Sequence, residues 1–122
     1  MSPVTGTIQP ERENQWQPSV ASARRAAERA LRAAAVSSAW AERSGVARAE
    51  ADEALRAGVE AREAANRAAV ATSADEVRRF ARLAEAAARL ALEADRRVST
   101  LIAASLWAAE DARLAPSLQS AA

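Results

Sequence analysis

Two carboxylate pairs stand one helical turn apart in this chain, Glu50/Glu53 and Glu60/Glu63. In helical bundles that bind paired iron or manganese, carboxylates at this spacing are joined by a histidine at i+3. This sequence has no histidine and no cysteine. Their absence removes Ser-His-Asp and Cys-His nucleophile systems, histidine phosphotransfer and zinc sites with nitrogen or sulfur ligands. The acidic pairs fit better as a solvated face balanced by Arg56, Arg62 and Arg67 at helical spacing. Gly6, Gly45 and Gly58 are too scattered to form a phosphate-cradling loop. The expectation is a non-enzymatic protein with no metal and no cofactor.

Arginine is the other residue type that could carry chemistry. Arg24, Arg25, Arg29 and Arg32, offset only by Glu28, form one basic turn set, and Arg78, Arg79 and Arg82 form a second. Guanidinium groups so clustered can take phosphates. No aromatic side chain interleaves with them, and acidic residues follow. The net charge is +1, which supplies no global field toward nucleic acid. A solvated arginine face is therefore expected. A regulatory module binding a nucleic acid or anionic ligand through Arg24, Arg25, Arg29 and Arg32 is the alternative.

The elements that position these residues follow from a line of small side chains. Ala47, Ala51, Ala54, Gly58, Ala61, Ala65 and Ala68 recur in alternating steps of four and three. Such spacing marks one stripe along a helix. Traced backwards, the line continues in phase through Ser44, Trp40, Ser37, Ala33, Ala30, Ala26 and Ala23. No position on it is charged, although charged residues crowd both sides. The unbroken phase across Ser44-Gly45 predicts one helix over about 19–72, roughly 75–80 Å long. A break at Ser44-Gly45, giving a three-helix bundle, is the alternative, because glycine costs about 1 kcal/mol inside a helix.

Ser73 and Glu76 have the spacing of a capping box and predict a second helix over about 74–115. Its stripe runs Val77, Phe80, Ala84, Ala87, Ala91, Ala94, Val98, Leu101, Ser105, Ala108 and Ala112, and Pro116 ends it. The short connection demands an antiparallel return. The expected fold is all-α: a long hairpin whose seam is Ala47, Ala51, Ala54, Gly58, Ala61 and Ala65 against Ala84, Ala87 and Ala91. In that hairpin Gly58 meets Ala87 and Ala88, Arg96 and Arg97 lie near Glu50, Asp52 and Glu53, and Trp40 comes level with Leu106 and Trp107. Residues 1–18, punctuated by Pro3, Gly6, Pro10 and Pro18, read as a flexible or docking arm that carries Trp16. Residues 116–122 read as a frayed tail.

Composition then points to a partner. Of the 122 residues 37 are alanine, and an alanine methyl stabilises by only about 0.8 kcal/mol when buried. A hairpin built from it has a thin core. Residues 98–109 contain no charge, and one stripe cannot hide Leu101, Ile102, Leu106 and Trp107 together. With Val36 and Trp40 opposite, these residues predict a self-association surface. The expected function is a structural or adaptor protein, a dimer completing a four-helix bundle, acting through helix–helix contact with itself or a partner helix. An apolar small-molecule site at Trp40 and Trp107 is a further alternative. Nucleic acid is not an expected partner. The start of the chain lacks the basic-then-apolar pattern of a signal peptide, and no stretch has the ~20 apolar residues of a membrane span, so a cytoplasmic location is expected.

Overall fold

The computed structural model describes the backbone of residues 2–121 and the side chains of residues 17–115. It is all-helical: α1 spans Ser2–Ser44, α2 Arg48–Val70 and α3 Ala74–Ala121. The three helices pack together, with no strand among the described residues. The expected arm with its Trp16 and the expected tail fall almost wholly on residues whose side chains lie outside that description.

The single helix expected over 19–72 is broken, and the three-helix alternative holds. Gly45 sits at φ 75 and Ala47 at φ 64, both left-handed. The Gly45 amide donates to the Ala41 carbonyl at 2.9 Å, closing the last turn of α1. The Val46 amide donates to Ser44 Oγ at 3.3 Å. Glycine takes the left-handed conformation freely, so it serves as the helix stop that the stripe alone does not reveal. Ala47 has no such freedom, and it caps α2 without any side-chain hydrogen bond. What offsets this cost is burial. Folded back, the stripes of α1 and α2 both face inward and meet the stripe of α3 within one chain.

The core is correspondingly fine-grained. Apart from Val77 and Val98, the buried apolar residues of the described chain are all alanine. Ala34, Ala54 and Ala94 form one layer, and Ala41, Ala51 and Val98 the next. Between these levels Ser37, fully buried, donates from Oγ to Asp95 Oδ1 at 2.5 Å. This polar contact ties α1 to α3 at one register. The stripe therefore identifies the core along most of its length, but not near the break: Trp40 and Ser44 point outward and Ala47 is half-buried.

The second turn follows expectation. The Glu76 amide donates to Ser73 Oγ at 3.2 Å, and Glu76 Oε2 accepts from the Thr72 amide at 3.4 Å. Ala71 is extended, at φ −65 and ψ 148, which stops α2.

Gly58 does not work against Ala87 and Ala88 as expected. A Cβ built on it would lie 3.2 Å from Leu31 Cδ2 and 3.4 Å from the Ala30 carbonyl oxygen, so its bare backbone admits α1. The difference follows directly from the break, which turns α1 back along α2. The tip of Leu31 can move where backbone cannot. Gly58→Ala should therefore leave the fold as stable or up to about 1 kcal/mol more stable, through helix propensity. Gly58→Leu should cost about 1–3 kcal/mol by overpacking. Denaturant melts of both variants check this pair. A Gly58→Ala variant destabilised as much as Gly58→Leu would show that α1 cannot give way there.

Candidate functional site

No described feature presents convergent catalytic groups, so the site to consider is a surface. It begins where α1 and α2 run out. Two contacts set the register of α1 on α3: Ser22 Oγ to Glu85 Oε1 at 2.9 Å, and Ser37 to Asp95. These pairs lie 63 and 58 residues apart in sequence, and the two helices run parallel. Since α1 stops at Ser44 and α2 begins at Arg48, α3 outruns both beyond Ile102. Residues 103–115 are exposed without exception, a rod about 20 Å long at 1.5 Å per residue.

Among the described residues, this overhang carries the most exposed tryptophan and the most exposed leucine. Leu106 is 67% and Trp107 72% exposed, and Leu114 is 50% exposed. At its root Leu101 is 41% exposed, while Ile102 packs against the layer of Ala41, Ala51 and Val98. On α1, Val36 and Trp40 are 47% and 48% exposed, and the Arg43 guanidinium covers the Trp40 ring at 5.2 Å from its centroid. That cation–π contact shields one face of the indole.

The structure brings only part of the expected surface together. Parallel packing sets Trp40 level with residues near 98–103 of α3, not with Leu106 and Trp107. The two indoles are thus not paired across a seam. An open groove of about 320 Å³ lies elsewhere, between α1 and α3, lined by Pro18, Ser19, Ser22, Arg78, Arg82 and Glu85. The seam residues Ala51, Ala54, Gly58, Ala61, Ala65, Ala84, Ala87 and Ala91 are buried. They build the fold and offer no free surface.

The charged groups are dispersed. Arg24, Arg25, Arg29 and Arg32 are all exposed on α1. Arg78 pairs with Asp75 at 2.5 Å. Among the described residues, no group of three or more acidic side chains is placed to hold a metal. No described helix is long and apolar enough to cross a membrane.

Sequence reasoning missed a flank of exposed leucines. Leu83 and Leu90 are 51% and 55% exposed and line the outer edge of the α2–α3 groove. Phe80 sits beside them with Arg79 and Arg67 guanidinium groups 4.9 and 5.9 Å from its ring centroid. The seven-residue spacing of Leu83 and Leu90 was the available signal. The alanine stripe, one step away, obscured it.

No family model, curated protein or solved structure matches this chain.

The expected link between α2 and α3 is present. Arg97 donates to Glu53 Oε2 at 2.7 Å, with both side chains about half exposed. Solvent screens such a pair, so Glu53→Gln should lower stability by less than about 1 kcal/mol. The difference should vanish in concentrated salt, as melts with and without added sodium chloride would show.

Proposed function

We propose that this protein is a self-associating helical module of structural or adaptor type, and that the α3 overhang is its contact surface. The observation that carries this reading is an inversion of size. Alanine fills the interior while Leu106, Trp107, Leu101 and Leu114 stand outside. Large apolar groups contribute about 1.5–3 kcal/mol each when removed from water, so a chain that leaves them bare gains most by covering them. Trp107 and Leu114, seven residues apart, share one face of the overhang with Leu106 beside them, and exposed apolar side chains grouped in this way mark an interaction site. A second copy is the favoured occupant, because the near-zero net charge raises no barrier to like meeting like. Arg113 and Glu110, paired along the overhang, supply a polar edge that keeps the patch bounded.

The test is Trp107→Asp. Trp107 touches little in the single chain, so the variant should keep its helix content and its unfolding midpoint at high dilution. Self-association should weaken by about 2 kcal/mol or more, the scale of a tryptophan hot spot, by sedimentation equilibrium. A variant that associates as the parent does would remove the overhang from the interface.

A further inference from the structure

We infer that the Ser44–Ala47 turn is a hinge, and that a second copy is bound by exchange of α1. In this form α1 swings out and straightens onto α2. It then packs on the α2–α3 hairpin of the partner through the same contacts it makes within one chain. The inference deepens the proposed self-association by naming how the copies interlock, and it rests on that reading only for the role of the overhang.

Three independent observations converge. The first is strain at the turn. Ala47 holds a left-handed conformation, φ 64 and ψ 26, that L-residues other than glycine rarely adopt, and no side chain caps the helix it starts. Short turns under strain favour exchange between copies. The second is phase. The uncharged line passes from Ser37 through Trp40, Ser44, Ala47 and Ala51 without losing its four-three step. A turn that only had to reverse the chain imposes no such relation between its two helices. Straightened, α1 and α2 share one continuous stripe.

The third observation is the overhang itself. The α3 stripe continues past the bundle as Leu101, Ser105, Ala108 and Ala112, in phase with the buried Ala91, Ala94 and Val98. In the closed chain nothing lies opposite Ser105, Ala108 and Ala112, which are exposed. The layers that join Ala54 to Ala94 and Ala51 to Val98 set the antiparallel register of α2 on α3. Carried along a straightened helix, that register puts Ser105 at the level of Ser44, Ala108 near Trp40 and Ala112 near Ser37. Trp40 and Ser44, exposed in the closed chain, would thereby be covered by the overhang. The exchanged dimer therefore has a four-helix middle, where the two overhangs are covered, and three-helix ends like those of the single chain.

The native chain has no cysteine, so an engineered pair reports the exchange directly. Ser37→Cys with Asp95→Cys replaces two residues in contact between α1 and α3. After incubation at high concentration near the unfolding midpoint, cooling and oxidation, exchange gives chains joined in covalent dimers. The same protein oxidised dilute gives internal disulfides and no longer dimerises. Two hinge variants should act in opposite directions. Gly45→Ala, at φ 75 with open space around it, penalises the turn and favours the straight helix, tightening dimerisation about tenfold or more. Ala47→Gly relieves the turn and weakens dimerisation by a similar factor.

Internal disulfides alone, with a dimer indifferent to both hinge variants, would overturn the exchange. If that dimer is nonetheless lost in Trp107→Asp, simple overhang pairing stands. Interchain disulfides that persist in Trp107→Asp would keep the exchange and reject the overhang reading. A chain that stays monomeric throughout, Gly45→Ala included, would overturn both.

Discussion

Close approach of helix backbones through alanine is the constraint on which this molecule depends. Each buried methyl contributes little, so the core works only if many of them are packed at short range. That condition accounts for the bare backbone of Gly58 where Leu31 and Ala30 press in. It accounts too for layers as small as Ala34, Ala54 and Ala94. In such a core there is no bulky side chain to set register by shape. The buried Ser37, held by Asp95, and the half-exposed Arg97–Glu53 pair supply register through polar geometry instead.

The same constraint displaces the large residues. A seam this tight has no room for leucine or tryptophan, so these occupy the flanks and the overhang. Guanidinium groups partly screen the aromatic ones: Arg43 lies over Trp40, and Arg67 and Arg79 lie beside Phe80. Trp107 has no such cover among the described contacts and is the most exposed of the described tryptophans. Surface chemistry and interior packing are thus two consequences of one sequence bias toward alanine.

Most of the interior was legible from residue spacing, because charge is excluded from a close-packed seam whatever the topology. Positions 23–37 and 51–68 of the first stripe, and 77–98 of the second apart from half-buried Phe80, are buried as the pattern requires. The Ser73/Glu76 cap was legible for the same kind of reason, since its chemistry is local. Topology was not. Phase across Ser44-Gly45 is compatible with a straight helix and with a fold-back, and the fold-back is made by the non-helical residues 45–47, of which Gly45 and Ala47 are left-handed. The misplacement of Trp40 against Trp107 follows from that one choice. So does the partner assigned to Gly58, since a fold-back turns its face from α3 to α1. The exposure of Leu106 and Trp107, by contrast, was legible in the uncharged run 98–109, which no single helix face can bury, but the overhang that carries them was not, because it follows from the fold-back.

The central claim is that alanine packing alone leaves the single chain incompletely covered and that a second copy completes it. Concentration dependence of the thermal unfolding midpoint tests this most directly, because a species that binds only the folded chain stabilises it by mass action. The account predicts a midpoint that climbs steadily as the protein is concentrated, together with a scattering mass approaching twice that of one chain. A midpoint and a mass that stay constant across the same range would contradict it.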